Sequence, residues 1–144
     1  MRLLVCGDRN WRDRQMVYDE ISALDNIECV IEGEAKGADT FARYTAEYLG
    51  IPVLKFPAQW EKYGRQAGPL RNREMLLHGM PTHVLAFHDN ISISRGTKDM
   101  VNRALKVKLP VKIVGHNGPQ LIFEGKDEES NGVGFPLIGL AFAR

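Results

Sequence analysis

A chain of 144 residues is long enough for one domain with a real core and short for two. Its composition, 44% hydrophobic and 26% charged, is that of a folded soluble protein, and a formal net charge of +1 excludes a global basic field for nonspecific DNA or RNA binding. No apolar run approaches the length of a membrane span, and Met1-Arg2 leads into a short strand without a secretory pattern, so a cytosolic location is expected.

Leu3-Leu4-Val5-Cys6 is a short apolar run closed by Gly7-Asp8-Arg9-Asn10-Trp11, the pattern of a buried parallel strand followed by a turn. A helix follows with Val17, Ile21 and Leu24 on one face. Asp25-Asn26 turns the chain into a second strand, Ile27 to Ile31, which runs into Glu32-Gly33-Glu34-Ala35-Lys36-Gly37-Ala38-Asp39. The helix after that loop is expected to bury Phe41, Tyr44, Thr45, Tyr48 and Leu49, which fall at i, i+3, i+4, i+7 and i+8. Gly50 stops it, and Ile51 to Phe56 forms strand three. Cys6 and Cys29 lie on predicted strands as buried free thiols.

Pro57 to Ala67 reads as a long loop carrying Trp60 and Tyr63, and loops of that length in compact domains tend to be functional. Gly68-Pro69-Leu70-Arg71-Asn72-Arg73 opens a third helix with Asn72, Met75, Leu76 and Gly79 on one side. Arg71 and Arg73 are expected in its first turn, where a cation opposes the helix dipole unless it faces an anion. Thr82 to Phe87 is strand four, ending at His88-Asp89. A polar loop leads to Arg95-Gly96-Thr97 and a fourth helix, with Thr97 as its N-cap and Met100, Val101, Ala104 and Leu105 inward. Pro110 to Val114 is strand five. In the tail, Leu121 to Glu124 and Leu137 to Phe142 read as two strands around an acidic, glycine-rich turn, suited to a hairpin on a sheet edge or to pairing with another subunit.

Strands alternating with helices specify an α/β fold: a Rossmann-like, doubly wound, mostly parallel five-stranded sheet with a C-terminal β extension. Residues 1–116 are expected to form the ligand-binding unit, with 117–144 as the extension. Loops at the strands' carboxyl ends gather at one edge, where ligands bind. Gly7, Gly33, Gly37 and Gly96 allow close backbone approach there. Arg9, Lys36, Arg71, Arg73 and Arg95 supply positive charge, Asn72 and Thr97 hydrogen bonds, Trp11 or Trp60 a surface for a base, and Asp39 or Glu34 acceptors for ribose hydroxyls. Helix starts after glycine loops suit an anion. The four histidines have no metal-ligand spacing; His88-Asp89 is a candidate Mg²⁺ position beside a phosphate, and no other cofactor is implied.

The runs Gly7 to Trp11, Gly33 to Asp39, Phe56-Pro57-Ala58-Gln59-Trp60, Gly68 to Met75 and Gly96-Thr97-Lys98-Asp99-Met100 resemble the YspA-like family of the SLOG superfamily, relatives of DprA and of the "Lonely guy" (LOG) phosphoribohydrolases. The resemblance runs from about Leu3 to Val114. It implies a nucleotide or nucleotide-derived ligand, homodimers or larger homo-oligomers, and no membrane partner. LOG enzymes release a base from a nucleoside 5′-monophosphate with a Pro-Gly-Gly-x-Gly-Thr-x-x-Glu motif. Gly96-Thr97 match its centre, but the glutamate position falls on Met100, which does no acid–base work, so the candidate catalytic carboxylates are Asp99, Asp39 and Glu34. Three functions stand side by side: a nucleotide-binding sensor, carrier or sequestering module; an N-glycosidic hydrolase; and a DNA-associated DprA-like module, which the neutral charge disfavours.

Overall fold

The computed structural model describes residues 1–118, 121–124 and 141–142, the last pair as backbone. Five parallel strands form the frame: β1 (Arg2–Gly7), β2 (Cys29–Glu32), β3 (Val53–Lys55), β4 (His83–Phe87) and β5 (Val111–Val114). In space they run β3-β2-β1-β4-β5, so the strand order reverses between β1 and β4 and opens a crevice at their carboxyl ends. Leu3, Leu4, Val5, Cys6 and Gly7 pair in register with His83 through Phe87, which brings Gly7 level with Phe87 at that crevice. The Rossmann-like, doubly wound reading of the sequence is the fold observed.

Helices α1 (Arg14–Ser22) and α2 (Ala38–Leu49) cover one face of the sheet; α4 (Ala67–Gly79) and α5 (Gly96–Lys106) cover the other. Alternation along each strand feeds both cores. Leu3, Val5, Leu85 and Phe87 pack with Val17, Ile21 and Ala42, while Leu4, Cys6, Val84 and Ala86 pack with Met75, Met100 and Ala104. Asp13 caps α1 by accepting from the Met16 N–H at 3.0 Å, and Gly50 closes α2 in a left-handed conformation, donating to the Ala46 and Glu47 carbonyls.

Several expectations need correction. Helix α2 buries Ala38, Asp39, Ala42, Thr45 and Ala46, whereas Tyr44, Tyr48 and Leu49 face solvent and Phe41 is half-buried. Small side chains let this helix lie close on the sheet, and the larger aromatic stripe is left outside. Residues 57–67 are mostly not an open loop: Trp60–Tyr63 form the one-turn helix α3, and Gly64–Gln66 a 3₁₀ turn that runs into α4. Strands two and three are shorter than expected, since the pairing hydrogen bonds begin at Cys29 and Val53. In the tail, β6 (Leu121–Phe123) adds antiparallel to β5 and buries Ile122. The two-residue β7 (Ala141–Phe142) pairs parallel to β6, so these two strands are not a hairpin. The expected turn and the strand from Leu137 to Leu140 lie outside the described residues.

Candidate functional site

The loops after β1, β2 and β4, with α3 and the starts of α4 and α5, surround a cavity of about 910 Å³ at the crevice. At the β1 exit, a Cβ on Gly7 would strike the Phe87 carbonyl and the Ala38 side chain, so glycine is what lets this loop lie between β4 and α2. The Asp8 N–H donates to Phe87 O at 2.8 Å, and Ala38 N–H donates to Asp8 O at 3.3 Å. Gly37, at φ +75°, sits against the Asp8–Arg9 backbone. Gly37 thus locks two loops together and is not in the cavity lining, and the Asp8 carbonyl already occupies the first N–H of α2. Arg9 lines the cavity.

At the β2 exit, Asp39 is the central group. It is 4% exposed, lines the cavity, and its Oδ2 accepts from Gly33 N–H at 2.9 Å and Ala35 N–H at 3.3 Å. Burial raises its pKa from 3.8 to about 6, opposed by the nearby Arg71 guanidinium and by those two N–H groups. Glu34 adopts φ 56°, lines the cavity and lies 3.9 Å from the Lys55 ammonium; Lys36 also lines it. Beneath them Glu32, fully buried, accepts from Glu34 N–H through Oε2, while Oε1 has no partner, and desolvation lifts its pKa to about 7. Sequence reading passed over Glu32. The available signal was a lone carboxylate closing an otherwise apolar strand.

Helix α4 begins at Ala67, one residue before the expected opening at Gly68, so Arg71 and Arg73 are its fifth and seventh residues, beyond the first turn, and the dipole argument for them lapses. Arg71 does reach the cavity, whereas Arg73 is exposed and outside its lining. The Arg71 guanidinium lies across Gly33, donating from Nη1 to the Gly33 carbonyl and from Nε to Asn72 Oδ1 at 3.1 Å. A Cβ on Gly33 would fall within the guanidinium, so this glycine makes room for a side chain and does not itself line the cavity. Asn72, 3% exposed, donates to Gly96 O at 3.2 Å and to Asp99 Oδ2 at 2.9 Å. Asp99 also accepts from Arg103 Nε at 2.8 Å and is outside the lining; it orients Asn72.

The fourth wall is the start of α5. Ser94 Oγ, not Thr97, provides the cap, accepting from Thr97 N–H at 3.0 Å. Arg95, Gly96 and Thr97 line the cavity, with open space beside Gly96. The two tryptophans separate cleanly. Trp11 is 4% exposed, packs on Phe87 and His116, and donates to the Asp13 carbonyl, so it belongs to the core. Trp60 is 58% exposed on the cavity rim, its ring edge 3.3 Å from where a Cβ of Gly68 would stand.

The lining also includes Cys6, Asp8, Asn10, Met75, His88 and Ile93, of which only His88 had been considered. Burial first, and then the charge of Asp39, push the Cys6 thiol well up, so it is a neutral floor group. Asp89 is drawn off by His116, whose N–H and Nδ1 lie 2.6 and 2.9 Å from its Oδ1. Among the described residues, no group of three or more His, Cys, Asp or Glu is placed to hold a metal ion. The cavity therefore has a neutral floor, the carboxylates of Asp8, Glu34 and Asp39, and cations around it. Arg9, Lys36 and Arg95 form no ion pair with any described residue.

Residues 1–63, which carry the β1 and β2 exits and Trp60, match the family described as "YspA, cpYpsA-related SLOG family". A curated relative, the Gene 61 protein of Mycobacterium phage D29, is 34% identical over an alignment of 121 residues, covering 76% of this chain and 93% of that protein. The chain belongs to the YspA-related SLOG family. Membership points to a nucleotide-related function. No solved structure matches this SLOG chain. None of its described helices is long and apolar enough to cross a membrane.

Proposed function

We propose that the protein binds a phosphorylated, nucleotide-derived ligand in the cavity at the β1/β4 crevice, as a sensor, carrier or sequestering module. One observation carries this reading: Arg9, Lys36 and Arg95, all without ion-pair partners among the described residues, line a single concave site. Unpaired cations focused in a cleft attract an anion, and a phosphate is the anion that family membership favours. The phosphate sits at Arg95, Gly96 and Thr97, at the start of an eleven-residue helix. Trp60 covers the base, and Asp39 accepts from ribose hydroxyls. The reading requires no resident cofactor. It is set in the cytosol, where the free thiols of Cys6 and Cys29 stay reduced, and the working form is a homo-oligomer.

A second reading, N-glycosidic hydrolysis of a nucleoside 5′-monophosphate, is favoured by the raised pKa of Asp39 in the cavity wall, which suits a general acid or base near neutral pH. Asp99 is tied to Asn72 and Arg103, and Met100 is fully buried, so the chemistry would fall to Asp39 or Glu34.

One experiment separates the two. The purified protein is incubated with nucleoside monophosphates, cyclic nucleotides, NAD and ADP-ribose; thermal shift is recorded and the same samples are analysed by mass spectrometry. A ligand that raises the melting temperature and is recovered intact supports binding, and a released base with a sugar phosphate supports hydrolysis. If no compound shifts wild type, and Arg95→Ala behaves identically, the phosphate site is wrong.

A further inference from the structure

We infer that the ligand carries two separate phosphate groups, one on each side of its sugar, as a nucleoside 3′,5′-bisphosphate does, and that Arg9 and Lys36 hold the second one. This rests on the ligand reading above and deepens it. Contacts between elements set the order of the groups along the cavity. A Cβ on Gly37 would stand 2.7 Å from the Arg9 carbonyl, so Arg9 and Lys36 leave from neighbouring points of two interlocked loops. Asp39 follows in the first turn of α2. Gly33 donates its N–H to Asp39 and accepts from Arg71 through its carbonyl. Arg71 donates in turn to Asn72, and Asn72 to the Gly96 carbonyl at 3.2 Å. The unpaired cations of the lining therefore fall into two groups, Arg9 with Lys36 at one end and Arg95 at the other, with a carboxylate between them.

Each group suits one part of such a ligand. Arg95, Gly96 and Thr97 take the first phosphate. At the other end the N–H groups of Gly33 and Ala35 are taken by Asp39, that of Glu34 by Glu32 and that of Ala38 by the Asp8 carbonyl, so an anion there is met mainly by side chains. The neighbouring carboxylates are engaged elsewhere: Asp8 accepts from Asn10 N–H at 2.9 Å, and Glu34 lies beside Lys55. Between the two ends, Asp39 holds both of its N–H donors on Oδ2, while Oδ1 accepts from no described residue. That oxygen is left for the 2′-hydroxyl, the ribose hydroxyl that a 3′,5′-bisphosphate keeps. A hydroxyl flanked by phosphates matches a carboxylate flanked by cations. At about 910 Å³ the cavity is near the top of the range for small-molecule sites, about 300–1,000 Å³, with room for the added group.

The test is titration calorimetry of the full chain with the 5′-monophosphate, the 3′-monophosphate and the 3′,5′-bisphosphate of adenosine, guanosine, cytidine and uridine. For at least one base, the bisphosphate is expected to bind on the order of ten- to a hundredfold more tightly than the 5′-monophosphate, the gain from charge-assisted hydrogen bonds to a second phosphate. Arg9→Ala combined with Lys36→Ala, at two exposed positions where the melting temperature of the free protein should not change, is expected to bring the two affinities together. Arg95→Ala should weaken both ligands and keep their ratio. Equal affinity of wild type for the bisphosphate and the 5′-monophosphate overturns the inference and leaves the single-phosphate reading standing. So does a preference that the double variant retains. Binding of none of these compounds overturns it too, and the broader ligand panel then decides the single-phosphate reading by itself.

Discussion

Asp39→Asn offers the sharpest check on the electrostatics of the site. Asp39 is 4% exposed, and burial lifts its pKa from 3.8 to about 6. A carboxylate whose pKa is raised on folding favours the native state fully below its unfolded value, and loses that contribution as pH rises through the folded value. At about 1.4 kcal/mol per pH unit, the gap corresponds to about 3 kcal/mol lost between roughly pH 4 and pH 7. Asparagine keeps an acceptor for the Gly33 and Ala35 N–H groups and does not titrate. Any fixed cost of the new amide is the same at every pH. The assay is urea unfolding of both proteins from pH 4 to pH 8. The difference in stability should move by about 3 kcal/mol in favour of the variant across that window. With a urea m-value on the order of 2 kcal/mol/M, the two midpoints separate by about 1.5 M. Parallel curves would mean that Asp39 titrates normally in the native protein, and the assigned burial penalty would be refuted.

Other expectations follow from the same geometry. Trp60→Ala should weaken nucleotide binding by about 1–3 kcal/mol, the range for loss of base stacking, and ligand should quench wild-type emission but not that of Trp60→Phe, since Trp11 is buried; equal affinity for wild type and Trp60→Ala in titration calorimetry would remove Trp60 from the site. Gly33→Ala pushes the Arg71 guanidinium aside and should destabilise by about 1–3 kcal/mol, read by chemical denaturation. His116, hydrogen-bonded to Asp13 and Asp89, has a raised pKa, so its contribution is present below the ordinary imidazole value and lost as pH rises through the folded one. His116→Ala should therefore lower the melting temperature near pH 5.5 more than at pH 8.5, and the acid-side loss should come with protonation of Asp13 and Asp89, whose pKa values are lowered by the same contacts.

Much of the frame was legible because buried parallel strands leave short apolar runs, and Leu3–Cys6 and Val84–Phe87 need no partner to be recognised. The glycine loops were equally plain as places where backbone comes close, although Gly33 and Gly37 serve the packing of Arg71 and of the Asp8 loop rather than a ligand. Helix α2 was read backwards. Hydropathy ranks Tyr44 and Tyr48 by chemistry, whereas the distance from helix to sheet is decided by size, and Ala38, Ala42 and Ala46 win that contest. Trp11 and Trp60 look alike in sequence; only the tertiary neighbours Phe87 and Gly68 tell them apart. Arg73 was placed by the expected first turn and Asp99 by its position one residue before that of the LOG glutamate; one helical step from Asn72, about 100°, carries Arg73 out of the cavity, and Asp99 turns instead to Asn72 and Arg103. Glu32 was missed because a carboxylate at a strand end reads as the beginning of a solvated loop.

The two sides of the cavity are held in different ways. The side built by the β1 and β2 exits is stitched across elements: Asp8 to Phe87, Ala38 to Asp8, Asp39 to Gly33 and Ala35, Arg71 to Gly33. The opposite side, Asn90 to Arg95, is held mainly by short-range turns, Ser92 to Asn90 and Thr97 to Ser94. Amide protons of the first side should exchange slowly and those of the second quickly, as opening free energies follow the reach of the bonds that must break. If a ligand binds as proposed, its residence time should follow the opening of the Asn90–Arg95 segment, whose hydrogen bonds are local.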